Sequence, residues 1–279
     1  MPDQATRMRE IAQHYRQAAL ATKPYMLTIT SGKGGVGKST IALNLAIKLC
    51  DTGKRVLLFD ADANLAGLNV MLGISPRYRL SHVLRGERDI EDVLFSPYSR
   101  LKILAGSSGE VDYPVMTGPL QAQLLDDLLM LEERFDVLLV DTGAGLNPEI
   151  IGYTEHADET LVVTGVEPTA VMDAYAMIKV IVASKNDAQI SLVLNNARLP
   201  REAEEAAAKL QLAVTNFLKR DIRYLGSVPY DANVAKAVVG QQPVVRAFPL
   251  SAASLSIQSI AQMIVHRSLH SSVRRVAAS

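Results

Sequence analysis

Residues 31–40 read Ser31-Gly32-Lys33-Gly34-Gly35-Val36-Gly37-Lys38-Ser39-Thr40. Glycines stand where backbone amides must turn inward onto phosphate oxygens, and the spacing fits G-x-x-x-x-G-K-[ST]. An apolar, β-branched run precedes the loop at 25–30, and a run with helical spacing follows it from residue 41. A glycine-rich turn between a strand and a helix is the context that this mechanism needs. The stretch therefore predicts a loop that binds the phosphates of a nucleoside triphosphate.

The second lysine of this loop needs a separate explanation. We expect Lys38 to contact the β- and γ-phosphates, Ser39 to ligate Mg²⁺, and Thr40 to lie near the α-phosphate. These groups and the helix dipole already balance the phosphate charge, so Lys33 is expected to serve a second site. A solvated loop lysine is the alternative. The backbone groups expected around the phosphates belong to Gly32, Gly34, Gly35, Val36 and Gly37.

Carboxylates follow two further apolar runs, Asp60 and Asp62 after the first and Asp141 after the second. The i, i+2 spacing of the first pair places both side chains on one side of an extended chain. We expect Asp60 and Asp141 to bind Mg²⁺ through its water shell, and Asp62 to position or activate the attacking water. Capping of the next helix is the alternative for the first pair. The glycine-rich residues 143–145 are expected to move when the γ-phosphate leaves.

The base of the nucleotide is predicted from residues 192–198. Guanine is commonly read by Asn-Lys-x-Asp, but Arg198 stands where that carboxylate would be. A carboxamide offers both a donor and an acceptor to the edge of adenine, so Asn195 or Asn196 is the candidate residue. Asn195 could equally be a turn residue at a strand end.

The periodicity of the whole chain predicts an α/β fold, a mainly parallel doubly wound sheet with helices on both faces. Ligands of such sheets bind beyond the carboxyl ends of the strands. Strands are expected at 25–30, 55–60, 101–105, 136–141, 159–165, 189–195 and 222–229. Helices are expected at 38–51, 117–134, 168–184, 201–219, 231–239 and 251–268.

Composition limits the classes of function. The 29 basic and 29 acidic residues give no general field for nucleic acid, so we expect no specific nucleic-acid partner. The single cysteine, Cys50, supplies neither a disulfide framework nor half of a shared iron–sulfur cluster. No apolar run approaches the roughly 18 residues of a membrane span, and the first 20 residues do not resemble a signal peptide. We expect a cytoplasmic protein.

The string from Lys33 to Thr40 resembles the deviant phosphate loop of the MinD/ParA family, the signature-lysine ATPases. The resemblance covers about residues 24–265. It implies ATP and Mg²⁺ as ligands, with catalysis by Lys33, Lys38 and Asp62. It also implies an ATP-dependent homodimer, in which Lys33 crosses to the nucleotide of the partner subunit.

Two further contacts follow from this resemblance. Residues 167–173 match the family stretch that meets the partner subunit, so Glu167 and Asp173 are expected to accept Lys33 or to contact ribose across the dimer. A favourable charge at the start of a helix is the alternative for each. Pro229 and Tyr230 resemble a second family loop beside adenine.

Several segments resemble one branch of the family, the flagellar-number regulators FlhG and FleN. Members of this branch carry an N-terminal element that stimulates the SRP-like flagellar GTPase FlhF, and some restrain a flagellar transcription activator. The resemblance implies that residues 1–22 are a partner-activating segment, with Asp3, Gln4 and Ala5 at the partner and Gln4 acting in trans. Flagellar basal-body proteins are further expected partners. An exposed terminal helix of mixed charge is the alternative. The matching segments are 3–9, 68–73, 80–86, 173–179, 228–231 and 236–238.

The C-terminal part, 251–279, follows an ATPase domain expected at 23–250 and mixes apolar residues with bases. A basic amphipathic helix binds an anionic membrane weakly, at about 1 kcal/mol per base, so peripheral membrane attachment of a dimer is one expectation. The alternative is a helix that packs on the core through Leu255, Ile260 and Ile264.

Three departures from the family pattern bear on the rate of hydrolysis. Residues 63–67 differ from the usual sequence after the second carboxylate, Asn69 replaces a common acid, and Gly143 replaces alanine or proline. We expect slower or altered ATP hydrolysis, and a more flexible backbone in the glycine-rich segment at Gly143. The rival functions are a septum-site or DNA-partition ATPase, and a binding-only scaffold with little hydrolysis.

Overall fold

The computed structural model describes residues 23–62, 67–106, 116–131 and 135–278, with side chains described through residue 269. These residues form a single eight-stranded sheet. Its strands are β1 (Tyr25–Ser31), β2 (Val56–Ala61), β3 (Leu94–Tyr98), β4 (Leu101–Leu104), β5 (Val137–Ala144), β6 (Glu159–Thr164), β7 (Ile190–Ala197) and β8 (Arg223–Pro229). Their order is β3-β4-β2-β5-β1-β6-β7-β8, and only β3 is antiparallel to its neighbour.

Helices connect most of the strands. In chain order they are α1 (Lys38–Asp51), α2 (Gly67–Leu72), α3 (Leu80–Leu84), α4 (Gly118–Leu129), α5 (Pro148–His156), α6 (Pro168–Ser184), α7 (Pro200–Ala213), α8 (Ala232–Val239), α9 (Val244–Ala247) and α10 (Ala252–Ala278). A 3₁₀ turn at Glu91–Val93 precedes β3, and a π-helical segment at Val214–Leu218 continues α7.

Helices cover both faces of the sheet. Apolar side chains of α1 and α10 pack on one face, and those of α4, α5, α6 and α7 pack on the other. Strands β1, β2 and β6 are buried along their whole length. Burial on both sides explains why these strands read as continuous apolar runs instead of alternating patterns. The predicted fold class is confirmed.

The predicted strands are all present, with ends that shift by a few residues. Strand β3 was not predicted, because Ser96 and Pro97 interrupt its apolar pattern. Proline lacks a backbone donor, and it is tolerated here because β3 lies at the sheet edge.

The helix predictions differ in accuracy. Helices α1 and α6 have the predicted bounds, and α8 begins one residue later than predicted. The helix predicted at 117–134 is wrong at its end, because α4 stops at Leu129 and Met130 leaves helical geometry. The prediction for 201–219 is wrong at its end. The α-helix stops at Ala213, the π-helical segment continues to Leu218, and Lys219 has a left-handed backbone with φ of 55°.

The short helices α2, α3 and α9 were not predicted, since each has too few turns to show a helical period. The longer α5 was not predicted either. Helix α5 does carry a local signal. Asn147 caps it by accepting a hydrogen bond from the Ile150 amide at 2.9 Å, and Pro148 occupies its first turn. Asparagine followed by proline is a favourable start for a helix.

The C-terminal helix α10 extends to Ala278, well beyond the predicted residue 268. It packs on the sheet and on α1 through Ile257, Ile260 and Ile264, whereas Leu255 is exposed. The expected packing is therefore correct for the two isoleucines and wrong for Leu255. Within the described ranges, no helix is both long and apolar enough to cross a bilayer.

A buried ion pair joins α10 to the start of β6. Arg267 Nη1 lies 2.7 Å from Glu159 Oε1, and it also donates to Ser191 Oγ at 2.7 Å. The Glu159 side chain is fully buried, and the Tyr25 hydroxyl donates to it. The last described turns of α10 are thus fixed to the base of three neighbouring strands.

We predict that Arg267→Met lowers the free energy of unfolding by about 3–5 kcal/mol, because it leaves the Glu159 carboxylate buried without its cation. The double variant Glu159→Leu/Arg267→Met should regain most of this loss. Urea unfolding measures both changes. The control is Arg201→Ala, which removes the exposed Arg201–Glu205 pair and should cost no more than about 1 kcal/mol. An Arg267→Met loss no larger than that of the control would contradict the prediction.

Candidate nucleotide and magnesium site

The candidate site lies where five neighbouring parallel strands end. Strands β2, β5, β1, β6 and β7 are adjacent in that order. Their carboxyl ends carry the two strand carboxylates, the glycine-rich loop and Asn195. Asp60 and Asp141 are direct register partners on β2 and β5. The topology therefore brings together the residues that the sequence singles out from separate runs.

Two glycines of the loop are required by close contacts. A side chain at Gly32 would place its Cβ 2.2 Å from the backbone oxygen of Asp173 on α6. Gly37 has φ of 87°, and a Cβ there would lie 2.3 Å from Asn195 Nδ2. Asn195 also donates to the carbonyl oxygen of Val36 at 2.7 Å. The loop is thus held between β7 and the first turns of α6.

Lys38 forms the central ion pair of the site. Its Nζ lies 2.7 Å from Asp141 Oδ1, and both side chains are buried. It also lies 3.4 Å from Ser39 Oγ. Burial raises the pKa of Asp60 well above its ordinary value, and the neighbouring Asp141 raises it further. Burial likewise raises the pKa of Asp141, although Lys38 opposes that shift.

The carboxylates fit a magnesium site. Asp60 Oδ2 and Asp141 Oδ2 are buried and have no hydrogen-bond partner among the described residues, so both can accept from metal-bound water. Ser39 is close to this pair, and a Cβ at Gly67 would lie 3.8 Å from its hydroxyl. Magnesium keeps several waters and needs few protein ligands.

Asp62 lies beside the last residues of β5. A Cβ at Gly143 would be 3.5 Å from Asp62 Oδ1 and 3.9 Å from Ile150 Cδ1. A methyl group therefore fits at Gly143 without a clash. Of the segment 63–67, only Gly67 is described, and it begins α2. Asn69 is buried in that helix.

Glu149, in the first turn of α5, was not predicted from the sequence as a residue of the site. Burial raises the pKa of its carboxyl to about 7, and the negative charge of Asp62 adds to the shift. Its backbone oxygen accepts a hydrogen bond from Gln121 Nε2 at 2.8 Å, which joins α4 to this turn. The available signal was an acid directly after Pro148, but no spacing rule connects it to Asp62.

A cavity of about 390 Å³ opens beside the loop, and residues of the loop line part of it. Thr40, Asn195 and Asn196 supply polar groups to it. Its apolar wall was not predicted, because it combines residues that are far apart in sequence. These wall residues are Ile41, Val228, Val234, Val244 and Ile257.

Asn44 holds part of that wall in place. Its Nδ2 donates to the Thr40 carbonyl oxygen at 2.7 Å, and its Oδ1 accepts from the Val245 amide at 3.1 Å. Thr40 Oγ1 contacts Met71 Sδ at 3.6 Å. A single buried side chain therefore links the helix after the phosphate loop to α9.

Pro229 and Tyr230 lie at the end of β8 but do not line the cavity. Tyr230 is exposed, and its amide donates to the Ala197 carbonyl oxygen at 2.8 Å. Their neighbour Val228 does line it. The proposed contact of both residues with adenine remains a prediction.

Lys33 is exposed at the mouth of the cavity. Its Nζ lies 3.5 Å from Thr169 Oγ1, in the first turn of α6. No ion pair to Lys33 is found among the described residues. Glu167 also lines the cavity, and its carboxylate folds over Gly165. Asp173 lies one turn further along α6, and Asp3, Gln4 and Ala5 fall outside the described residues.

Comparison with known families gives a direct assignment. A family model described as ParA: NUBPL iron-transfer P-loop NTPase matches residues 23–265. The chain belongs to the ParA/MinD family of P-loop NTPases. The resemblance stated from the phosphate loop is thereby confirmed. Iron transfer describes the family model, and it is not extended to this chain, whose only cysteine is the buried Cys50.

Two sequence relatives are flagellar proteins by name. The chain is 36% identical to the antiactivator FleN of Pseudomonas aeruginosa over 86% of this chain and 85% of FleN. It is 33% identical to the flagellum site-determining protein YlxH of Helicobacter pylori over 86% of this chain and 82% of YlxH.

Two similar solved structures are of proteins called MinD, one described as a cell division ATPase and the other as a septum site-determining protein. The Pyrococcus furiosus protein superposes with a TM-score of 0.71 at 27% identity, covering 87% of this chain and 98% of that one. The Pyrococcus horikoshii protein, solved with Mg-ADP, has a TM-score of 0.71 at 25% identity and covers 86% and 96%.

We predict that Glu149→Gln stabilises the protein more at high pH than at low pH. The raised pKa means that folded Glu149 keeps its proton up to about pH 7, whereas the unfolded residue loses it near its ordinary pKa. Wild-type stability therefore falls relative to the variant across that window and then levels off. Urea unfolding at a series of pH values measures the difference. A difference independent of pH would contradict the predicted environment of Glu149, and Glu155→Gln on the same helix is the control.

Proposed function

We propose that this chain is an ATP-dependent dimerising switch that hydrolyses ATP slowly and regulates the number or assembly of flagella. The observation that carries the dimerising step is the exposed Lys33 at the mouth of the nucleotide cavity. Lys38 already occupies the buried position beside Asp141, so Lys33 is a second lysine that the site of its own subunit does not need. In a two-fold dimer, each Lys33 would meet the phosphates of the partner subunit.

The buried carboxylates support nucleotide hydrolysis. Ser39, Asp60 and Asp141 would hold Mg²⁺, which neutralises phosphate charge when it is bound. Lys38 would then exchange its contact with Asp141 for the β- and γ-phosphates. Asp62 lies beside Gly143 and would position the attacking water.

The base would occupy the apolar wall, with Asn195 or Asn196 on its edge. Asn195 already uses one amide hydrogen on Val36, which leaves its second hydrogen and its carbonyl oxygen for adenine. Glu167 and Asp173 would meet the partner subunit across the dimer. Pro229 and Tyr230 would flank the base from the end of β8.

The flagellar output is supported by the names of the two sequence relatives, an antiactivator and a flagellum site-determining protein. Its partners would be an FlhF-like GTPase, contacted by Asp3, Gln4 and Ala5, and a flagellar transcription activator or basal-body protein. We place the protein in the cytoplasm, with peripheral attachment to the inner face of the cell membrane through the basic end of α10.

Size measurement with different nucleotides tests the switch. A non-hydrolysable ATP analogue with Mg²⁺ should convert the protein from monomer to dimer, whereas ADP should leave it monomeric. Lys33→Ala should bind the analogue and remain monomeric, because its own site keeps Lys38. Lys54→Ala changes a half-buried lysine in the turn after α1; it is the control and should dimerise normally. Dimerisation of Lys33→Ala would refute a role for Lys33 in trans.

Turnover separates the switch from a binding-only scaffold. Wild type should hydrolyse ATP at a rate that Asp62→Ala lowers by about 10²-fold or more, since a positioned general base contributes that much. Equal and negligible rates in both proteins would leave only the scaffold. Binding of non-specific DNA with a steep salt dependence would instead favour a partition ATPase.

A further inference from the structure

An apolar groove lies between α6 and α7, on the side of these helices that faces away from the sheet. It encloses about 780 Å³, and its lining is mostly apolar. Val171, Met172 and Tyr175 line it from α6, and Leu210 and Phe217 line it from the α7 side. Met172 is 65% exposed and Phe217 is 76% exposed. Large apolar side chains grouped in one exposed groove usually mark a binding surface.

The π-helical segment after α7 forms one end of this groove. We call this the lower end, and the end at the start of α7 the upper end. Val214–Leu218 continues α7 with one extra residue in the turn, and Val214 stays buried while Phe217 points outward. Such segments are rare and occur frequently at functional sites. The outward position of Phe217 is therefore a built feature of the groove and does not reflect a frayed helix end.

The N-terminal segment has the pattern of a helix that could fill the groove. Ala5, Met8, Ile11, Ala12 and Tyr15 recur with a spacing of three or four residues. This spacing gives one apolar stripe on a helix. Residues 5–16 as a helix would be about 18 Å long, close to the roughly 21 Å of the 14-residue α7.

The topology places the point where the N-terminal segment joins the sheet at the same end as the lower end of the groove. The described chain enters at Lys23, just before the amino end of β1. Helix α7 runs from the carboxyl end of β7 towards the amino end of β8, so Phe217 lies at the same end of the sheet as Lys23. Two strand spacings separate β1 from β7, or about 10 Å. Residues 17–22 span up to about 20 Å when extended, which is enough to pass around the end of α6.

Charge favours the same orientation. Glu202 and Glu205 line the groove at the start of α7, where Glu205 is also paired with Arg201, and Lys209 lines it further along. A helix that enters from the lower end would bring Arg7 and Arg9 to this acidic end. Partly exposed pairs of this kind add little affinity, but they select one direction of docking.

We propose that the groove between α6 and α7 binds residues 5–16 of the same chain as an amphipathic helix. The proposal does not depend on the flagellar role. Docking there would also let the nucleotide affect the N-terminal segment, because residues at the start of α6 line both the nucleotide cavity and the groove. Gly165, Glu167 and Ala170 line the nucleotide cavity, whereas Val166 and Val171 line the groove. A shift of this turn would change both sites.

Hydrogen exchange of the full-length protein, followed by mass spectrometry, tests the docking. In the wild type, amides of residues 8–16 should exchange at least about tenfold more slowly than in Phe217→Asp, which places a charge in the groove. Leu212→Asp is the matched control, because Leu212 is 63% exposed on the same helix but does not line the groove. It should keep the protection.

A second measurement uses the absence of tryptophan in the chain. Tyr15→Trp introduces a single probe, whose emission should shift to the red in Phe217→Asp and stay unchanged in Leu212→Asp. Equal exchange and equal emission in all variants would overturn the proposal. Protection that increases with protein concentration would also overturn it, because it would assign the groove to a second copy of the chain. Protection and emission that do not vary with concentration would support docking within one chain.

Discussion

The buried contact between Lys38 and Asp141 is the interaction on which the rest of the site depends. Asp60 stands opposite Asp141 in the sheet, so one ammonium faces two carboxylates in a buried position. One cation cannot satisfy both acids. Burial, and then the charge of the neighbouring Asp141, raise the pKa of Asp60 well above its ordinary value. In the proposed function, Mg²⁺ would add the missing positive charge at these carboxylates, and Lys38 would then be available for phosphate.

The surrounding structure keeps these charges in position. Gly32 permits α6 to approach the phosphate loop, and Asn195 fixes the loop to β7. Asn44 extends the same support to the apolar wall of the nucleotide cavity. The first turn of α6 contributes to the cavity, to the Lys33 contact and to the outer groove. A nucleotide can thus influence three surfaces through one short segment.

The sequence predicted most of this arrangement because it depends on local patterns. The glycine-rich loop, the strand ends at Asp60 and Asp141, and the long helices α1 and α6 are each encoded within a few neighbouring residues. The comparisons confirm the family that the phosphate loop indicates.

The features that the sequence did not predict depend on tertiary contacts or on short elements. Val244 and Ile257 join the cavity wall only because the sheet brings distant helices together. Burial raises the pKa of Glu149, and the charge of Asp62 raises it further; no spacing along the chain reveals either environment. Strand β3 was missed because a proline is acceptable only at an edge, and the edge is defined by the completed sheet.

Calorimetric titration of a non-hydrolysable ATP analogue, with and without Mg²⁺, tests the central claim most directly. Wild type should bind at least about tenfold more tightly with Mg²⁺, a difference of ~1.4 kcal/mol. Asp60→Asn should lose most of this gain and keep its affinity without the metal, whereas Asp136→Asn, at the other end of the β5 segment, should behave as wild type. An equal Mg²⁺ effect in wild type and Asp60→Asn would contradict the account.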